Sequence, residues 1–168
     1  MERRTIMSLT KQTLTIDFRA QSILFILIVI DLFTKHLALS HLMNQSITLI
    51  PGWVSFHLAF NHGTAFSLLS QSDPIWHTLL TLLNALTIIG LTWWLFRYQT
   101  HTILRRWSLL LLISGGCGNF FNRWLHDYVV DFIALSIHNH NLFVCNVADI
   151  YITFGLLMLI YDQYITHE

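Results

Sequence analysis

Four segments of this chain approach the length and apolarity of a bilayer crossing, and three of them carry ionisable or strongly polar residues within or at the edge of the span. A spanning helix needs about 20 mostly apolar residues. The segments run from Ser22 to Leu39, Ile75 to Phe96, Trp107 to Phe121 and Phe143 to Tyr161, and only the second is clean. Composition agrees: with 54% hydrophobic and 11% charged residues, the chain cannot clothe a soluble globule, whose surface is about a quarter to a third charged. A soluble enzyme is therefore excluded. No basic cluster longer than Arg3-Arg4 or Arg105-Arg106 exists to neutralise a row of phosphates, so no nucleic-acid partner is expected. The reading is an integral membrane, mainly α protein: one domain over residues 1–168, with an N-terminal tail over 1–21 and four transmembrane helices.

Orientation follows from Lys and Arg, which stay on the cytoplasmic side of span ends. The tail has Arg3, Arg4, Lys11 and Arg19, and the 97–106 connection has Arg97, Arg105 and Arg106. The 40–74 connection has none and the 122–142 connection only Arg123. Both termini are expected in the cytoplasm, with the two long loops outside. Some twenty largely polar residues precede the first span and no small-residue cleavage site follows it, so that span should persist in the mature chain. Within the first outer loop, Ile47 to Phe60 alternates apolar and polar residues around Pro51-Gly52, which predicts a periplasmic β-hairpin between helices 1 and 2. Trp53 and Phe56 suit the interfacial belt.

The polar residues inside the spans carry the chemistry. Asp31 and Lys35 lie four apart and share a helix face, where they can pair; charges at such depth cost several kcal/mol unless they face the bundle or a wet site. Ser114, Gly115, Gly116 and Gly118 allow close helix approach, and Asn119 and Arg123 follow on one face. Asp131, in the apolar run Tyr128 to Ile133, and Asp149, with Asn146 and Thr153 on its helical face, bracket a 17-residue loop and should meet at one depth. No Lys stands near either in sequence. Facing carboxylates are the minimum set for aspartic proteolysis, since close like charges force one acid to keep its proton while the other activates water. His57, His62, His138 and His140 do not form a metal-binding spacing, and Cys117 and Cys145 read as small buried hydrophobes.

Four stretches, in order, resemble the motifs of bacterial lipoprotein signal peptidase, the signal peptidase II family: Asp31-Leu32-Phe33-Thr34-Lys35; Asn61-His62-Gly63-Thr64-Ala65-Phe66; Gly115-Gly116-Cys117-Gly118-Asn119 with Arg123 and Val129-Val130-Asp131-Phe132-Ile133; and Asn146-Val147-Ala148-Asp149. The resemblance runs from about residue 22 to 162. It implies a membrane aspartyl endopeptidase with four transmembrane helices and an outer β-cradle, which removes signal peptides from prolipoproteins before a diacylglyceryl-modified cysteine. Asp131 and Asp149 would be the catalytic pair. Asn61, Gly63, Asn119, Arg123 and Asn146 would line the substrate site, and Asp31 and Lys35 would shape the core beside it. Neither metal nor organic cofactor is expected; the partners would be prolipoprotein substrates and membrane lipid, the chain a monomer, and the location the bacterial inner membrane with the active site toward its outer leaflet.

The chain departs from the family pattern at Asn122, where Asp is usual, near Asp127, where Gly is usual, and at Cys145, where an aromatic is usual. Asp127, four residues beyond Arg123, is the candidate partner that would compensate for Asn122, the alternative being a solvated loop acid. A catalytically inactive membrane scaffold and a small proton-coupled transporter are the rival readings.

Overall fold

The computed structural model describes residues 2–63, 74–97, 102–138 and 140–166, with side chains from Phe18 onward except at Pro74 and Trp76. Thr64, Ala65 and Phe66 of the second motif lie outside the described residues. Four helices are present: α1 (Glu2–His41), α2 (Pro74–Arg97), α3 (Ile103–His126) and α4 (Val147–Thr166). Within them Phe18–His41 and His77–Arg97 are long and apolar enough to cross a membrane. Both are mostly exposed, the opposite of a soluble core helix, and α4 likewise turns Phe154, Leu157, Ile160 and Tyr164 outward. Central α3 packs against the other three, burying Leu109, Leu110 and Ile113 with Leu95 and Ala20. Small residues let it do so: a Cβ on Gly115 would stand 2.5 Å from the Ala148 carbonyl oxygen of α4, and one on Gly118 would overlap Asp31 Oδ2 of α1.

The expected hairpin is β1 (Ile47–Ile50) and β2 (Val54–Asn61). It is only half of the sheet. The connection between α3 and α4, expected as a loop, supplies β3 (Val129–Ile137) and β4 (His140–Cys145), giving an antiparallel sheet in the order β1-β2-β3-β4. Helix ends shift accordingly. Residues 143–145, expected in the fourth span, belong to β4; α3 continues past 121 to His126; and α1 continues back through the segment expected as a tail.

Strand phase then divides β3. Val130 and Phe132 pack on Ala38 and Leu42 of α1, while alternation turns Asp131 to the other face. Asp131 is paired with Ala59, so Asn61, two residues along β2, stands diagonally beside it on that face.

Candidate active site

Every site residue comes from the end of an element at one end of the bundle: Asp31 and Lys35 in the later turns of α1, Asn61 at the end of β2, Asn119 and Arg123 in the last turns of α3, Asp131 in β3, and Asn146 and Asp149 at the start of α4. Asn146 is the N-cap of α4. Its side-chain oxygen accepts from the Asp149 N–H at 3.0 Å, and its own N–H donates to Asp149 Oδ2 at 3.1 Å. This reciprocal pair is a capping box in which Asp takes the position usually held by Glu or Gln. The same Asn146 donates from Nδ2 to Asp131 Oδ1 at 2.5 Å. One residue thus joins the two acids, and the pair expected to meet does meet.

Asn61 Nδ2 donates to the other oxygen of Asp131 at 3.0 Å, and the Gly63 N–H closes back on Asn61 Oδ1 at 2.9 Å. That turn holds Gly63 at φ +94°, where a side chain is strained. Asn119 Nδ2 donates to Asp149 Oδ1 at 2.9 Å. Lys35 pairs with Asp31 at 2.7 Å as expected, and also donates to Asn119 Oδ1 at 2.9 Å, so an ammonium stands one amide away from Asp149. Asp31 is itself fixed by the Ala148 N–H at 2.8 Å, a backbone donor that no side-chain pattern could reveal. The Asp31–Lys35 pair therefore ties α1 to both α3 and α4.

The acids differ in setting. Asp131 is 2% exposed, and burial pushes its pKa from 3.8 up to about 6 against the opposing pull of the Asn61 and Asn146 amides; the Asp149 charge adds to the rise. Asp149 is half-buried in the first turn of α4, where its Oδ2 accepts the Asn146 backbone N–H. Arg123 lies within electrostatic reach of both, and its buried Nε has no hydrogen-bond partner among the described residues.

The candidate pairing of Asp127 with Arg123 needs correction. Asp127 does not form an ion pair with Arg123: it is the C-cap of α3 at φ 62°, joined to Arg123 only by its backbone N–H on the Arg123 carbonyl at 2.9 Å. That left-handed position is why glycine suits it, and Asp tolerates it. Asn122 Oδ1 accepts from the Val130 N–H at 3.1 Å, a backbone duty a carboxylate oxygen performs equally well. Thr153 spends its hydroxyl on the Asp149 carbonyl and is exposed. The histidines near the sheet make ring contacts, His62 with His77 and Tyr128, and His138 with Trp53. Among the described residues no three His, Cys, Asp or Glu gather as a metal site.

Residues 23–165 match the family described as Signal peptidase (SPase) II. The chain is 33% identical over 137 residues to the lipoprotein signal peptidase of Acinetobacter baylyi, covering 82% of this chain and 76% of that one. It is 34% identical over 136 residues to that of Francisella tularensis subsp. novicida, covering 80% and 84%. Two solved bacterial membrane enzyme structures, obtained by the in meso method at 2.3 and 1.9 Å, share the fold at 24% identity with TM-scores of 0.74 and 0.73, the first covering 87% of both chains.

Proposed function

The chain belongs to the signal peptidase II family and is a membrane peptidase that removes signal peptides from prolipoproteins; on that premise we propose that Asp131 and Asp149 are its catalytic acids. The observation that carries this reading is the bridge through Asn146, which holds one oxygen of Asp131 and both the N–H and the carboxylate of Asp149. Asp149, solvated by N–H donors at a helix N-terminus, begins as the carboxylate and takes a proton from water as the oxygen attacks the scissile carbonyl carbon. Asp131, whose burial favours the neutral acid, gives its proton to the carbonyl oxygen. Collapse of the tetrahedral intermediate breaks the C–N bond once a carboxyl proton has reached the leaving nitrogen. Arg123 Nε, a buried donor without a partner among the described residues, is suited to a substrate carbonyl, and Gly63 leaves room for Leu80 of α2 while its N–H orients Asn61.

All four helices cross the bacterial inner membrane, with both termini in the cytoplasm and the sheet and acid pair toward the outer leaflet. Support comes from Arg97, Arg105 and Arg106, which lie at the end of the bundle away from the sheet, and from the outward apolar faces of α1, α2 and α4. The substrate's diacylglyceryl-bearing cysteine then need not leave the bilayer, and its anchor can contribute binding energy for positioning. Every group of the site comes from one chain, which suits a monomer.

The test is incubation of the purified chain with a diacylglyceryl-modified prolipoprotein, with release of the signal peptide expected; an intact substrate would overturn the reading. Because the pair must hold one proton, kcat/KM should fall as pH rises through about 6, the value toward which burial moves Asp131. A rate that stays flat from pH 5 to 8 would remove Asp131 as the acid.

A further inference from the structure

Three asparagines surround the acid pair, and each has its amide oxygen occupied by a group that can only donate. Asn61 Oδ1 accepts the Gly63 N–H, Asn119 Oδ1 accepts the Lys35 ammonium, and Asn146 Oδ1 accepts the Asp149 N–H. A primary amide pinned at its oxygen has no choice about where its NH2 points. The three NH2 groups fall on Asp131 Oδ2, Asp149 Oδ1 and Asp131 Oδ1, and the Asn146 backbone N–H covers Asp149 Oδ2. Each of the four carboxyl oxygens thus receives one neutral, oriented donor. An acceptor site stays open on each oxygen for the shared proton and the attacking water.

We propose that Asn61, Asn119 and Asn146 are positioning residues for the acid pair rather than substrate-binding groups, with Gly63, Lys35 and the α4 backbone setting the direction of their donors. The assignment rests on Asp131 and Asp149 being the catalytic acids. Neutral amides suit the task because a cation touching either carboxylate would hold it ionised and take it out of proton exchange. The charged groups facing Asp131 are Asp149 from α4, Lys35 from α1 and Arg123 from α3, with Asp31 beyond Lys35. Among the described residues Asp131's side-chain hydrogen bonds come from the two amides alone.

The test compares Asn61→Ala, Asn146→Ser and Asn61→Asp with the unmutated enzyme, reading kcat, KM and the pH profile of prolipoprotein cleavage. Serine keeps an N-cap oxygen for α4 while losing the donor to Asp131. Removing either donor disfavours the ionised form, so the alkaline limb should move up by about one pH unit. Displacement of the acids should lower kcat on the order of 10- to 100-fold with KM within about twofold. Asn61→Asp, which replaces a donor by an acceptor, should lose more than Asn61→Ala. A raised KM with kcat and the limb unmoved would make these residues substrate contacts and overturn the assignment. Should Asn146→Ser fail to fold, Asn61→Ala decides alone, since Asn61 ends a strand and caps no helix. Failure of the unmutated protein to cleave would instead overturn the peptidase reading itself.

Discussion

The acid pair beside the sheet and the far end of the bundle hold their carboxyl groups in opposite ways. At the end away from the sheet, Asp162 of α4 is fully buried and faces Arg105 Nε directly at 2.6 Å, with the Thr102 hydroxyl on its other oxygen; Thr102 also caps α3 through the Arg105 N–H. At the sheet end, Asp131 and Asp149 are met by amide and backbone N–H groups, and the nearest ammonium is held off behind Asn119. A guanidinium in contact fixes a carboxylate as an anion and makes the pair a strut between helices. Neutral donors orient a carboxyl group without fixing its charge, which leaves the proton free to move. Asp162 and Asp131 are thus set apart by who touches them, one as a strut between helices and the other as the acid proposed to exchange a proton.

Neutralising the acids one at a time should break that contrast most sharply. Asp131→Asn and Asp149→Asn should each lower cleavage by about a thousandfold or more, measured on purified protein whose thermal unfolding shows that it is folded; substantial residual turnover in either would collapse the distinction. Asp162→Asn should do the reverse. It leaves Arg105 without its counter-ion and should cost about 2 kcal/mol of stability, discounted from the fully buried case because Arg105 is 21% exposed. Turnover at a permissive temperature should stay within about twofold. Smallest of all are the changes at the α3 end. Asn122→Asp should leave turnover nearly unchanged, since either side chain accepts the Val130 N–H. Asp127→Gly should be active and up to about 1 kcal/mol more stable, by relieving the left-handed backbone; lost activity in Asp127→Gly, restored by Asn122→Asp, would revive the charge exchange that the geometry opposes.

The acids and amides of the site were legible because each is a polar residue in a stretch that should hold none. Asp31, Lys35, Asn119, Asp131 and Asp149 announce themselves against an apolar background. Half of the sheet was not legible, and the reason is burial on both faces: Val129 to Phe132 is buried without interruption, so the alternation that revealed β2 is missing from the start of β3. The apolar end of β4 runs into α4 and reads as one span. Spacing also misled beyond a helix end. Arg123 and Asp127 are four apart, but Asp127 has already left the helix, and side chains that would share a face no longer do. Asp162 carried too little signal, because its partner lies 57 residues earlier at the start of another helix.

The first turn of α4 has a second consequence. Helix ends open more readily than helix middles, and opening this one would release the contacts of Val147 and Ala148 while the rest of the sheet and bundle stays in place. Yet the bonds that close the turn, between Asn146 and Asp149, also hold together the acid pair proposed to be catalytic. Fraying of a single turn would therefore silence the enzyme while nearly all of it stays folded. Its working lifetime in the membrane would then follow the rate of that local event rather than the global unfolding barrier.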